Sequence, residues 1–400
     1  MTGIKSGVIN VPEFEGSTAK IRVAYFLRPA KPAKETQNQI PVLVLNGGPG
    51  VSSHDMMKEM IADERLDNIY LVFMDQRGTG CSTAYPDLQA TDINKSHHWG
   101  SQAIVNDAEA LRSTLFPNQK WKLFGHSYGG LVSYRYISNS PSSLAGVTIY
   151  GYSPTYSSIQ WLISQTVFIE DQSRAYLALY PEDKSLLAKL RTQIEKDTCL
   201  LMRHYEICGD AMLDALGQYL AFNDHWSKIH AQLHAIDNAW GTRNEERAMK
   251  DLSKMIFSGF AAANEGIVQN AISNYEIVPG YTPHQAYREV AKQLQKNQVE
   301  TGRWLFNPIY YMQHLEVGDR EVLFEDLTSD PISIEAIEVS LRQHPELKVN
   351  LFAGKRDGIV PPSTFNDINS AVGDLINFSV INEAGHNHFL HDHVINVLNH

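Results

Sequence analysis

Trp121-Lys122-Leu123-Phe124-Gly125-His126-Ser127-Tyr128-Gly129-Gly130-Leu131-Val132-Ser133-Tyr134 is an apolar run, a glycine-flanked serine and a second apolar run. The first run reads as a buried strand and the second as the start of a helix. The glycines on either side of Ser127 permit a turn so sharp that the serine takes a strained backbone conformation, which lifts its hydroxyl clear of the sheet end. A nucleophile needs that exposure. The five-residue pattern recurs by chance in many chains, and the strand before it and helix after it are what give it meaning here.

A serine hydroxyl is a weak nucleophile at neutral pH. It needs a base to take its proton and a third group to hold that base in the right tautomer. Both are offered later in the chain, each at a strand end. Leu347-Lys348-Val349-Asn350-Leu351-Phe352-Ala353 reads as a buried strand running into Gly354-Lys355-Arg356-Asp357-Gly358. Asn377-Phe378-Ser379-Val380-Ile381 is the next strand, and it runs through Asn382 into Glu383-Ala384-Gly385-His386. An aspartate after a strand is usually a turn former, and a histidine near a terminus is usually solvated. The order serine, acid, histidine, each after its own strand, selects Ser127, Asp357 and His386 as a catalytic triad.

Upstream, Ile40-Pro41-Val42-Leu43-Val44-Leu45 has the continuous apolar character of a central strand and ends in Asn46-Gly47-Gly48-Pro49-Gly50. Glycines leave backbone amides unobstructed. An N–H of Gly47 or Gly48, with that of Tyr128, is expected to form an oxyanion hole; a plain Gly/Pro turn is the alternative. Tyr70-Leu71-Val72-Phe73-Met74 is a further strand, and it leads into Asp75-Gln76-Arg77-Gly78-Thr79-Gly80-Cys81-Ser82.

These three segments together resemble the proline iminopeptidase (prolyl aminopeptidase) family of α/β-hydrolases, which includes tripeptidyl aminopeptidases. The resemblance covers about residues 40 to 150 and returns near Asp357 and His386. It implies an α/β-hydrolase fold, a mostly parallel sheet flanked by helices with an inserted helical cap, and a serine exopeptidase that removes residues from a free peptide N-terminus. It also implies that Asp75 and Arg77 brace loops. Asn46 stands where the family usually has histidine, which leaves the oxyanion glycines intact. The tryptophan-rich acidic signature of proline-specific caps is not evident, so the terminal residue removed stays open.

The strand and helix pattern divides the chain into a first core part at 1–153, a helical cap at 154–323 and a second core part at 324–400. Val8 to Arg28 reads as two antiparallel edge strands around Glu15-Gly16-Ser17. Between Pro154 and Leu323 strand-like runs disappear, and Ser185 to Leu201 and Ala248 to Phe257 show helical spacing. An exopeptidase must hold a terminal ammonium, which a buried acid does well. Glu276 is the preferred candidate, because Ala271-Ile272-Ser273-Asn274-Tyr275-Glu276 is loosely similar to a cap segment of the tripeptidyl branch; Glu265 is the second. Most cap carboxylates merely face water.

Composition narrows the partners. At 400 residues, 43% hydrophobic and 20% charged, the chain can bury one large core with an insertion. A formal charge of −11 argues against nucleic acid. No stretch suits a bilayer, and the first residues lack a basic start followed by an apolar run, so a cytoplasmic protein is expected. Cys81, Cys199 and Cys208 are odd in number and scattered, which predicts reduced thiols. His386, His388, His391 and His393 crowd around Asp392, but the triad uses His386 and no metal or other cofactor is expected. The alternative on the same machinery is a capped carboxylesterase or thioesterase. A catalytically silent scaffold on this fold is the remaining rival, and oligomeric state is not readable.

Overall fold

The computed structural model describes residues 3–31, 39–86, 95, 97–202, 205–221, 226–257, 272, 275–277, 283–302, 304–316 and 330–400. Its centre is an eight-stranded sheet in the order β1-β2-β4-β3-β5-β6-β10-β11. The strands are β1 (Lys5–Pro12), β2 (Lys20–Arg28), β3 (Val42–Leu45), β4 (Leu71–Met74), β5 (Trp121–His126), β6 (Leu144–Tyr150), β10 (Val349–Gly354) and β11 (Ile376–Ile381). From β4 to β11 every neighbouring pair is parallel. The β1–β2 hairpin joins this core antiparallel, with β2 laid on β4.

Helices cover both faces, as a parallel sheet requires. On one face pack α2 (Ser101–Leu115), α3 (Tyr128–Asn139), α11 (Ile334–Gln343) and α12 (Asn366–Val372), through residues such as Ile104, Leu131, Ile337 and Ile368. On the other pack α1 (His54–Ala62) and α13 (Asp392–Asn399), through Met56, Met60, Val394 and Leu398. The central strands are apolar on both sides for this reason: all four residues of β3 and of β4 are buried.

Between β6 and α11 the chain builds a second cluster with its own core. It comprises α4 (Ser158–Leu179), α5 (Asp183–Gln193), the short α6 (Ala211–Asp214), α7 (Trp226–Ala239), α8 (Glu245–Phe257), α9 (Pro283–Lys296) and α10 (Pro308–His314). Leu190, Ile229, Leu233, Leu252 and Phe306 meet in its interior. This cluster rests on loops at the carboxyl ends of the central strands. Gly358 N–H donates to the Ala221 carbonyl at 3.2 Å, and Gln165 Nε2 donates to the Ile359 carbonyl at 3.0 Å.

Two expectations are corrected in this segment. Strands do not disappear from it: β7 (Cys199–Met202), β8 (Tyr205–Cys208) and β9 (Leu315–Glu316) form a small antiparallel sheet. Accordingly the helix expected over Ser185–Leu201 ends at Gln193. Strands of four residues or fewer are too short to impose a period on the sequence, so apolar residues of β7 were counted into the preceding helix.

The second correction concerns the thiols. Cys199 and Cys208 form a disulfide, facing each other across the β7–β8 pair with Cα atoms 4.0 Å apart. Counting cysteines cannot reveal that two of them are register partners in a hairpin. Disulfides persist in oxidising compartments, so the cytoplasmic expectation loses the support it drew from the cysteines. Thiol titration of the denatured, unreduced protein should detect Cys81 alone, and all three cysteines only after reduction. Full reactivity before reduction would show that the bridge does not form. Among the described residues no helix is long and apolar enough to cross a membrane.

Candidate active site

The strand order brings the predicted residues to one edge. Ser127 follows β5, Asp357 follows β10 and His386 follows β11, while β3, which leads into the loop carrying Gly47, lies directly beside β5. Ser127 has φ 54° and ψ −125°, a strained conformation in which the backbone turns from β5 directly into α3. The turn is possible because of the glycines around it. A Cβ on Gly129 would stand 1.9 Å from the Leu45 carbonyl oxygen, and one on Gly125 would stand 2.4 Å from the Gly129 carbonyl oxygen.

His386 Nδ1 lies 2.8 Å from Asp357 Oδ2. The other oxygen, Asp357 Oδ1, accepts from the backbone N–H of Ile359 at 2.9 Å and of Val360 at 2.8 Å. Asp357 is wholly buried, so three hydrogen-bonding groups fix its carboxylate and it in turn fixes the imidazole. Gly151, at the end of β6, forms the floor beneath the pair. It has φ +68°, and a Cβ there would meet His386 Nδ1 at 3.2 Å and Asp357 Oδ2 at 3.3 Å. Nothing in the sequence pattern singled out Gly151; its role is visible only once β6 is placed between β5 and β10.

Ser127 and His386 line one cleft of about 790 Å³ with Asn46, Gly47, Gly48, Asp55, Glu59 and His126 among its other walls. That size suits a small ligand or the end of a peptide. A Cβ on Gly47 would lie 3.0 Å from Ser127 Cβ and 3.4 Å from its Oγ, so the glycine backbone passes directly against the serine side chain. Tyr128 opens α3, and the N–H groups of a first helical turn have no acceptor within the helix. Amides from two sides thus flank Ser127, an arrangement able to stabilise an oxyanion.

The loop that carries Gly47 and Gly48 is held from behind. Asn46 Nδ2 donates to the Val51 carbonyl at 2.6 Å, and Gln76 Nε2 donates to the Asn46 carbonyl at 3.0 Å. Asp75 accepts from the Ser53 N–H and hydroxyl at 2.9 and 2.7 Å and from the Cys81 N–H at 2.8 Å, tying this loop to the one after β4. Arg77 is buried and makes a bidentate pair with Asp107 at 2.8 and 2.6 Å, while its Nη1 also donates to the Glu13 and His98 carbonyls. Both residues therefore brace loops.

Glu276 is buried, and its hydrogen bonds are made within the chain. Its Oε1 accepts from the Ser101 N–H at 2.8 Å and hydroxyl at 2.7 Å, and its Oε2 accepts from the Tyr128 hydroxyl at 2.6 Å. Burial pushes its pKa up, opposed by those donors. It borders a narrow cavity of about 30 Å³ with Tyr152 and Trp161 and does not line the Ser127 cleft. Glu265 lies outside the described residues. Asp55 and Glu59, one turn apart on α1, were not singled out from sequence; their signal is four-residue spacing directly after the glycine loop.

His126 is a further residue the sequence left unremarked. Its Nε2 donates to the His386 carbonyl at 2.8 Å, and its ring sits 4.9 Å from that of Phe389. Burial, with the nearby His386, lowers its pKa to about 3. The unfolded chain takes up this proton near pH 6.5 and the folded chain does not, so stability is lost as the pH falls from 6.5 toward 3. The loss from this residue should reach about 2 kcal/mol at pH 5. His126→Gln, which keeps a donor, should lose that much less stability than wild type between pH 7 and 5 in urea unfolding. An identical pH slope in both proteins would refute it.

A family model described as alpha/beta hydrolase fold matches residues 40–392. The proline iminopeptidase of Aeromonas sobria is 30% identical over 164 residues, a match spanning 39% of this chain and 39% of that protein. The proline iminopeptidase of Saccharolobus solfataricus is 30% identical over 146 residues, spanning 36% of this chain and 42% of that one. The chain thus matches about two-fifths of the length of these relatives. The crystal structure of proline iminopeptidase from Mycobacterium smegmatis superposes with a TM-score of 0.43 and 17% identity, over 98% of this chain and 96% of that one. With a serine elbow after β5, a histidine–aspartate pair beyond β10 and β11, and a family match across most of its length, this chain belongs to the alpha/beta hydrolase fold family.

Proposed function

We propose that this protein is a serine hydrolase, an aminopeptidase that releases N-terminal residues, proline or a short peptide, through an acyl-enzyme. The observation that carries the chemistry is the strained Ser127 elbow opening into the same cleft as His386, whose Nδ1 is 2.8 Å from Asp357. His386 takes the Ser127 proton as the hydroxyl attacks the peptide carbonyl. Asp357 holds the imidazole and stabilises its cationic form, and the N–H groups of Tyr128 and of Gly47 or Gly48 hold the oxyanion. His386 returns the proton to the departing amine, and water then attacks the acyl-enzyme by the same route. The inserted helical segment acts as a cap over the strand ends.

A free N-terminus is favoured by the distribution of acids. Asp55 and Glu59 line the cleft, and no Lys or Arg does so among the described residues. Glu276 is hydrogen-bonded to the side chain of Tyr128, the residue after Ser127. A carboxylate offers about four acceptor positions and Glu276 uses three; a substrate ammonium would reach the fourth through the small cavity beside Tyr152 and Trp161, since Glu276 does not line the Ser127 cleft. The capped esterase reading has one observation in its favour: all three of those bonds go to the chain itself.

Fluorogenic amides with free amines, their N-acetylated counterparts and simple esters separate the readings. Free-amine prolyl, alanyl or short peptidyl amides should be cleaved, and acetylation should abolish turnover. Glu276→Gln should lower kcat/KM on free-amine substrates by about tenfold or more, the value of one lost charge-assisted hydrogen bond, with esters little changed. Equal losses on all substrates would instead make Glu276 a positioning residue for Tyr128. Cleavage of esters alone would overturn the peptidase reading.

A further inference from the structure

Outside the cleft, the inserted segment gathers four metal-ligating side chains. Asp183 opens α5 and Glu182 precedes it; His230 and His234 stand one turn apart on α7 and so share a face. His230 Nδ1 lies 3.1 and 3.0 Å from the two Asp183 oxygens and 4.0 Å from Glu182 Oε1. His234 Nε2 lies 3.4 Å from Asp183 Oδ1. One donor atom from each of the four residues falls within 4.8 Å of all the others.

Among the described residues the two carboxylates of this group face imidazoles and no fixed cation. No Lys or Arg pairs with Glu182 or Asp183 among the described residues, and the Asp183 side chain is 1% exposed. His234 Nε2 is buried and makes no hydrogen bond, although an acceptor stands close by. The Tyr176 hydroxyl donates to Asp183 Oδ2, and the His230 ring stacks on Tyr180 with centroids 4.3 Å apart. Two of the four ligands are thereby held in place by neighbours. His230, His234 and Glu182 are 30%, 43% and 55% exposed, which gives an ion a path in.

We propose that Glu182, Asp183, His230 and His234 form a binding site for a divalent transition-metal ion, Zn²⁺ best matching two imidazoles and two carboxylates, which clamps α5 to α7. Ligand atoms about 2.0–2.2 Å from a tetrahedral zinc lie roughly 3.3 Å from one another, close to the spacing of Asp183 from each imidazole. Coordination gives His234 Nε2 the partner that it lacks and neutralises the two carboxylates. The Tyr176 hydroxyl is then the outer-shell group that orients a ligating carboxylate.

The test uses tag-free protein stripped with EDTA and titrated with ZnCl₂ by calorimetry, alongside thermal unfolding with and without Zn²⁺. One Zn²⁺ per chain should bind at micromolar or lower concentration and raise the melting temperature. His230→Gln and His234→Gln should each weaken binding by at least about tenfold, and Tyr176→Phe by about 10- to 100-fold. Glu182→Gln, at an exposed position, provides a variant that should fold even where the histidine variants do not, and it too should bind more weakly. His391→Gln combined with His393→Gln controls for zinc captured at the histidine-rich carboxyl end and should leave the affinity unchanged. Undiminished binding in folded His230→Gln/His234→Gln protein, or no binding by wild type, would overturn the site.

Discussion

Asp357→Asn should lower kcat by about ten-thousandfold with the melting temperature nearly unchanged. Asparagine matches aspartate in shape, and its Oδ1 can still accept from the Ile359 and Val360 N–H groups, which hold Asp357 Oδ1 at 2.9 and 2.8 Å. The side chain should therefore stay where it is. What changes is the atom facing His386 Nδ1, now an NH₂ donor in place of an acceptor 2.8 Å away. An imidazole opposite a donor must turn its lone pair toward it, which puts the proton on Nε2. That nitrogen can then no longer accept the Ser127 proton, and the imidazolium formed during attack loses its counter-charge in a site where Asp357 is wholly buried. Ser127→Ala should fall further, by about a millionfold, and the two changes together should be no worse than Ser127→Ala alone, because the residues act as a unit. Steady-state kinetics on the best free-amine amide, with circular dichroism as the control for folding, decides it. A loss below about tenfold for Asp357→Asn would mean that another group orients the base.

Much of this geometry was legible because the relevant residues end long apolar strands. Ser127 and Asp357 each follow a run whose burial on both faces leaves no helical or alternating pattern to confuse with it. The β11 run is the exception, with exposed residues at Asn377, Ser379 and Val380, and there the turn residues after it carried the reading. What was not legible depends on neighbours distant in sequence. Gly151 matters because β10 and β11 place the histidine–aspartate pair above it. Cys199 and Cys208 pair because a hairpin sets them opposite each other. Glu276 could be chosen as an interesting acid, but its partners Ser101 and Tyr128 stand 175 and 148 residues away along the chain. Periodicity reports which face of an element is buried and is silent on what lies across from it.

Gly129→Ala should be the most damaging single methyl addition near the site, lowering stability by about 3 kcal/mol or more. The added Cβ would sit 1.9 Å from the Leu45 carbonyl oxygen, 2.5 Å from the Leu45 carbonyl carbon and 2.9 Å from the Asn46 oxygen. All three are backbone atoms of β3 or of the residue just after it, so no side chain can rotate away. Relief requires α3 and β3 to separate by more than an ångström, and both are pinned: β3 is hydrogen-bonded to β4 and to β5, and α3 packs Leu131 and Val132 into the core. The displaced segments are the ones that carry Ser127 and Gly47, so kcat should fall together with stability in whatever protein still folds. Gly146→Ala provides the comparison. It lies in β6 at an ordinary backbone angle, and its Cβ would meet nothing closer than the Lys348 oxygen at 3.7 Å. Its unfolding midpoint in urea should stay close to wild type. Similar midpoints for the two variants would mean that α3 and β3 have room to part, and that the glycine after Ser127 is not what holds the elbow against the sheet.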